Sequence, residues 1–262
     1  MRATASPPKT GSKQYRTMYD QEKIKPYSAE GKKGSQVAEM FDNIAHSYDF
    51  LNHSLSFGVD KIWRRAAIKS LKPYKPQDIL DVATGTGDFA ILTAQMLKPR
   101  KLVGVDISEG MIAVGRKKVG KKGLSSTVAL KADDCMRLSF PDNSFDAVTV
   151  AYGVRNFENL DQGLREMHRV LRPGGRLVIV ELTVPSTFPM KQLFTIYSKI
   201  VFPIMGKLIS RDDSAYKYLP ATMKAFPHGP QMKEILERAG FTNAKYNDFI
   251  LGINTLYEAE KQ

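Results

Sequence analysis

From residue 78 to 182 the chain alternates between short apolar runs and longer stretches whose apolar residues recur every three or four positions. The short runs, bounded by Gly, Pro, Asn and Asp, predict strands at 78–83, 101–106, 127–132, 145–151 and 175–182. The spaced stretches between them predict helices at 88–97, 108–119 and 158–171. Strand and helix in alternation imply a parallel sheet with right-handed crossovers. Upstream, Val37, Met40, Phe41 and Ile44 share one face of a helix beginning near Ser35. A polar-aromatic loop over 46–58 leads to a second helix around 61–71. Downstream, a helix over 233–239 stops at Gly240 and is followed by two extended segments, 241–249 and 254–260. The glycine-containing turn between those segments predicts a β-hairpin and one antiparallel strand.

The joint between the first strand and its helix carries Gly85-Thr86-Gly87-Asp88. Two glycines at this spacing permit a sharp turn and bring a ligand close to main-chain N–H groups. The next strand ends in Asp106, a carboxylate suited to gripping a ribose diol. Together they predict a nucleoside-cofactor site at the carboxyl edge of the sheet. Asp88 argues about which cofactor. At a helix N-terminus an acid would repel the pyrophosphate of a dinucleotide, whereas S-adenosylmethionine has no phosphate and carries an ammonium and a sulfonium. The plainer reading of Asp88 is a favourable first-turn acid. A nucleotide-binding sheet finished by an antiparallel hairpin is the Rossmann-like architecture of class I S-adenosylmethionine-dependent methyltransferases, and a dinucleotide dehydrogenase would usually continue in parallel.

Composition adds bounds. The 262 residues suit one α/β domain, and Lys+Arg 39 against Asp+Glu 27 gives a net charge of +12. Residues 1–34 are polar and basic, which predicts a flexible tail ahead of a domain over 35–262. That domain has capping helices at 35–72 and an insertion at 183–230. A second basic cluster, Arg116-Lys117-Lys118 with Lys121-Lys122, would suit anionic lipid or a solvated face. Nucleic-acid binding would be a function of another class, but the basic segments lack interleaved aromatics and any reading motif. The single cysteine, Cys135, fits a reducing compartment. No run is long enough to predict a transmembrane helix, and no secretory h-region is present, so a cytoplasmic protein is expected. The insertion holds an apolar core at 188–208 interrupted by Lys191, Lys199, Lys207 and Pro203. It reads equally as a lid or membrane-facing patch with snorkelling lysines, or as a helix buried under the sheet or between copies in a homo-oligomer.

Three segments carry a more specific signal: Tyr48-Asp49-Phe50-Leu51-Asn52-His53-Ser54-Leu55-Ser56-Phe57-Gly58-Val59-Asp60-Lys61-Ile62-Trp63, then Tyr152-Gly153-Val154-Arg155-Asn156, then Arg169-Val170-Leu171-Arg172-Pro173-Gly174-Gly175-Arg176-Leu177-Val178-Ile179-Val180-Glu181. In this order they resemble the C-methyltransferases of menaquinone and ubiquinone biosynthesis, most closely the members that methylate demethylmenaquinone. The resemblance spans roughly 35–262. Departures are Asp60 where the family usually has His, Thr183 where it often has Ser, and Ala151 where some quinone variants have Ser. The last tilts the resemblance toward the menaquinone side.

The resemblance implies S-adenosylmethionine as cofactor, with the methionyl end near Gly85, Thr86, Gly87 and Asp88 and the ribose on Asp106. It places the adenine near Asp134 and Cys135, with Asp133 the acceptor if the register is one residue earlier. It implies ring-carbon methylation of a prenylated quinol, a naphthoquinol or a benzoquinol, with Arg155 stabilising the phenolate and Asn156 orienting it. The structural alternative for Arg155 is an ion pair with an acid such as Glu158. Tyr48, Asp49 and Asn52 lie in the loop expected to close over the ligands. His53 is a weaker candidate base, His168 reads as structural, and no metal-ligand spacing is present. Peripheral contact with the inner face of an anionic membrane fits the lipid tail of such a substrate.

Overall fold

Ile79 and Leu80 are both wholly buried, although neighbouring strand residues point to opposite faces. Both faces of the sheet are therefore covered, which explains the continuous apolar runs. The computed structural model describes residues 18–50, 56, 58–209, 213–249 and 252–262. Strands β1 (Asp78–Val82), β2 (Lys101–Asp106), β3 (Val128–Ala132), β4 (Phe145–Ala151), β5 (Leu171–Leu182), β6 (Thr242–Phe249) and β7 (Asn254–Glu260) form one sheet in the order β3-β2-β1-β4-β5-β7-β6. The first five are parallel, and β7 joins β5 and β6 in antiparallel register, as the terminal hairpin predicts.

On one face, Ile79, Leu102, Ala147 and Val178 pack on Trp63, Ile68, Phe89 and Ile112. These come from α3 (Asp60–Leu71), α4 (Asp88–Leu97) and α5 (Glu109–Lys121). On the other, Leu80, Val148 and Ile179 pack on Leu164 and Met167 of α6 (Leu160–Val170) and on Ile235 and Leu236 of α9 (Pro230–Arg238). Each such side chain contributes about 1.5–3 kcal/mol through burial. The chain runs outward in both directions from the β1–β4 pair, so their carboxyl ends form the crevice where open α/β sheets bind ligands.

Several residues at this edge have left-handed backbone. Gly85 and Gly87 have φ of 55° and 78°, which glycine adopts freely. Ala83 and Tyr152, just past β1 and β4, also have positive φ, 52° and 64°. Such angles are rare for residues with a Cβ and cluster at functional sites. Gly153 is needed for close approach, because an added Cβ would stand 2.5 Å from the Cβ of Ala83.

Two sequence expectations change. The segment expected as a flexible tail is partly packed: Gln21, Glu22 and Lys33 are buried, residues 27–32 are exposed, and residues 1–17 lie outside the described residues. In α1 (Asp20–Lys23), Gln21 and Glu22 are buried, and Glu22 accepts from the backbone N–H of Leu160 at 2.7 Å. Lys33, the first residue of α2 (Lys33–Ile44), donates to the carbonyls of Gln21 at 2.6 Å and Arg155 at 3.3 Å. Burial pushes its ammonium down to about 7. The insertion, secondly, is neither only a lid nor only a buried helix. Its helix α7 (Met190–Ile209) turns Phe194 and Tyr197 inward and leaves Leu193, Ile196 and Ile200 more than half exposed. Helix α8 (Asp213–Ala225) follows, with Tyr218 and Met223 buried. Among the described residues no helix is long and apolar enough to cross a membrane.

Candidate active site

The turn after β1 places the Gly85 N–H 2.8 Å from Oδ2 of Asp106, while the Ser108 N–H reaches Oδ1 at 3.0 Å. Burial pushes the Asp106 carboxyl up, against the pull of those N–H groups. It lines a cleft with Gly85, Tyr48, Tyr152, Asp134, Cys135 and Asn156. Helix α2 closes the cleft through Gly34, Val37 and Phe41.

Asp133 and Asp134 both reach this cleft, but the oxygens of Asp133 serve its own turn. They accept from the Asp134 N–H at 3.0 Å, from the Ser139 hydroxyl at 2.7 Å and from Lys131 in an ion pair of 3.2 Å. Asp134 accepts from Met136 N–H through Oδ1 only, so its Oδ2 is the better placed acceptor. Burial holds the Cys135 thiol well above its ordinary value, so it stays protonated.

The remaining loop residues are placed differently from one another. The Gly87 N–H bonds the Thr84 carbonyl at 2.9 Å, closing the turn, and Gly87 lines neither large cavity. The Thr86 hydroxyl donates to Asp49, and Lys118 bridges Asp49 and Asp88. Asp88 therefore meets a cation of the chain itself, and Asp49 ties the entry loop to the glycine turn. A smaller cavity beside the loop is lined by Gly85, Thr86, Asp88, Tyr48, Asp81 and Arg64. Asn52 and His53 lie outside the described residues. His168 meets Phe241 edge-on at 5.0 Å and serves packing.

A second cavity shares Tyr48 and Tyr152 with the first. Its walls are Trp63, Phe194, Tyr197, Leu219, Met223 and Ile253, and its polar groups include Arg155, Arg64 and Asp60. Strand pairing of Ala151 with Val180 brings the 154–156 turn against Glu181. There Arg155 Nη1 meets Glu181 Oε1 at 2.6 Å and the Tyr152 carbonyl at 2.5 Å, with Glu181 wholly buried. Burial works against the Arg155 charge, but Glu181 together with Tyr48 and Tyr218 outweighs it, so its pKa rises above the ordinary value. The acid expected beside Arg155, Glu158, instead accepts from the Gly34 N–H at 3.0 Å. Arg155 and Asn156 do not line one cavity: Arg155 lines the second, Asn156 the first. The Asn156 Oδ1 is buried with no hydrogen-bond partner among the described residues.

Sequence reasoning missed Glu181 as the partner of Arg155, and it assigned no role to Arg64 or Tyr152. A carboxylate closing an otherwise apolar strand was the available signal for Glu181. Two cavities meet at Tyr48 and Tyr152, with the Asp106 carboxylate in one and the buried Arg155 guanidinium in the other. A sequence profile described as the ubiE/COQ5 methyltransferase family matches residues 29–261.

The chain belongs to the ubiE/COQ5 methyltransferase family.

A demethylmenaquinone methyltransferase of Bacteroides fragilis is 62% identical over 93% of this chain and 99% of that protein. A ubiquinone/menaquinone biosynthesis C-methyltransferase UbiE of Geotalea daltonii is 44% identical over 87% of this chain and 97% of its own length. The crystal structure of an S-adenosylmethionine-dependent methyltransferase from Thermotoga maritima superposes with a TM-score of 0.59 at 18% identity, covering 86% of this chain and 99% of that one. The expected class I, Rossmann-like methyltransferase fold is thereby borne out.

Proposed function

We propose that the protein transfers a methyl group from S-adenosylmethionine to a ring carbon of demethylmenaquinol, a prenylated naphthoquinol. The observation that carries this reading is the pair of cavities meeting at Tyr48 and Tyr152. S-adenosylmethionine supplies an electrophilic methyl on a sulfonium. Asp106 would hold its ribose hydroxyls and Asp134 the adenine amine, with the Cys135 backbone beside it. Gly85, Thr86 and Asp88 would border the methionyl end, where the carboxylates of Asp49 and Asp88 beside Lys118 suit its ammonium.

Arg155 would stabilise the acceptor's phenolate, whose parent phenol otherwise ionises near 10. Electron density pushed from that oxygen to the adjacent carbon makes the carbon nucleophilic. The new C–C bond forms as the methyl–sulfur bond breaks, and loss of the ring proton restores aromaticity. Glu181 keeps Arg155 in place, and Asn156 would steady the ligand from the donor side. Burial pushes the Tyr152 phenol up, so it walls the passage as a neutral group. The aromatic and aliphatic walls from α7 and α8 would take the first part of the prenyl chain.

The outer face of α7 supports peripheral contact with an anionic membrane. Phe188, Leu193, Ile196 and Ile200 stand exposed beside the exposed Lys191 and Lys199. Cosedimentation with anionic vesicles is expected, and Ile196→Glu with Ile200→Glu should abolish it; retention unaffected by both changes would remove α7 as the contact. The activity is tested with purified protein, methyl-labelled S-adenosylmethionine and chemically reduced demethylmenaquinol. One labelled methyl on the naphthalene ring is expected. Donor binding without transfer would exclude this acceptor, and transfer only to a demethylated benzoquinol would move the protein to ubiquinone chemistry.

A further inference from the structure

The donor reading leaves one group of S-adenosylmethionine without a partner. Its amino-acid end carries a carboxylate as well as an ammonium, and the glycine loop is bordered by acids: Asp49, Asp81 and Asp88. A carboxylate needs a cation there. Lys118 is already held by both Asp49 and Asp88. Arg155 faces the other cavity, bound to Glu181.

Arg64 is differently placed. It projects from α3, is only 8% exposed, and lines both the small cavity beside the glycine loop and the second large cavity. Its guanidinium carbon lies 5.1 Å from the Tyr152 ring centroid, at the passage between donor and acceptor. Its ion pair with Asp60 is long, 3.4 Å from Nε to Oδ2, and Nε makes no hydrogen bond among the described residues. A planar guanidinium has five donors in a fork that matches a carboxylate. The acids facing it are Asp60 on its own helix and Asp81 at the end of β1. Asp81 is occupied by the hydroxyls of Thr84 at 2.6 Å and Thr149 at 2.7 Å.

We propose that Arg64 binds the α-carboxylate of S-adenosylmethionine, completing a zwitterion site whose acidic half is Asp88 and Asp49. The assignment rests on S-adenosylmethionine as the donor and is independent of which quinol accepts the methyl. It also gives the guanidinium a positioning role, because fixing the amino-acid end fixes the direction in which the sulfonium faces the acceptor cavity.

The test compares S-adenosylmethionine with its decarboxylated analogue, an otherwise identical sulfonium, by calorimetric titration of the full chain. Arg64→Gln should weaken S-adenosylmethionine about 10- to 100-fold, the size of a lost charge-assisted contact. It should leave the decarboxylated analogue unchanged or bound more tightly. Asp60→Asn combined with Arg64→Gln removes both charges of the ion pair, so the same readout survives if Asp60 alone destabilises the single variant. Lys118→Met should retain the wild-type preference between the two donors. The proposal is overturned if both donors weaken equally in Arg64→Gln and in the double variant, or if the preference follows Lys118. It is equally overturned if Arg64→Gln raises only the KM of the quinol. Failure of the wild-type chain to bind either donor would remove the donor reading itself, a result distinct from an unchanged ratio.

Discussion

Arg155→Ala is expected to lower turnover by about 100- to 1000-fold, the usual cost of losing one preorganised group on a developing oxyanion. It should leave the dissociation constant of S-adenosylmethionine within about twofold of wild type, because Arg155 lines the second cavity and not the donor cleft. The single substitution has a second effect. Glu181 is wholly buried and its ion pair with Arg155 is 2.6 Å long. An unpaired carboxylate left there costs about 3–5 kcal/mol of stability. Lost activity in Arg155→Ala alone would therefore mix a chemical loss with partial unfolding. Combining Arg155→Met with Glu181→Gln removes both charges while keeping the volume, and replacing both members of a buried pair is often neutral for stability. That double variant should unfold in urea near the wild-type midpoint, bind S-adenosylmethionine normally and still fail to turn over. Wild-type turnover in a stable double variant would remove Arg155 from the chemistry.

The parallel strands are legible in the sequence because burial on both faces leaves little choice but Ile, Leu and Val, as in Ile79-Leu80 or Val148-Thr149-Val150. Strand β5 is longer than its pattern suggests. It starts at Leu171, which pairs with Phe145, and the register then shifts before Ala147 meets Arg176. Pro173-Gly174-Gly175 sits inside that shift and reads locally as a turn. The partial packing of residues 18–34 is illegible for another reason. Its anchors are Gln21, Glu22 and Lys33, polar side chains buried through hydrogen bonds to distant residues, and polar burial leaves no periodic trace.

Gly85, Asp106 and Asp134 are legible together because each stands at or just past a strand end, where sequence order alone brings them to one edge of the sheet. The sequence also singles out Arg155, but not its partner. Arg155 and Glu181 are neighbours only because β4 and β5 pair in register, and Arg64 reaches the passage from a helix preceding the sheet. From the loop alone Asp88 reads either as an acid for a cationic ligand or as a favourable first-turn acid. The contact with Lys118, thirty positions on in sequence, could not be foreseen from the loop alone.

Asp106→Ala should weaken S-adenosylmethionine and S-adenosylhomocysteine by about 100-fold or more, since two charge-assisted hydrogen bonds at about 1.5–3 kcal/mol each would be lost. The same carboxylate also anchors the N–H groups of Gly85 and Ser108, so part of the loss would come from a loosened glycine turn. A change on the ligand separates the two. The 2′-deoxy analogue of S-adenosylhomocysteine should bind the wild-type chain about tenfold or more weakly than the parent, yet equally with the parent in Asp106→Ala. The pH dependence has a definite sign. Ribose hydroxyls need the ionised carboxylate as a double acceptor, and burial raises the Asp106 pKa above the ordinary value near 3.8. Acidification should therefore weaken donor binding at a higher pH than an ordinary aspartate would, with affinity lost as pH falls through the raised pKa and full above it. In Asp106→Asn that step should vanish and the weak affinity should stay flat over the same range. An acid-side loss of binding that persists in Asp106→Asn would assign the titration to another carboxylate of the cleft and leave Asp106 only its structural bonds to Gly85 and Ser108.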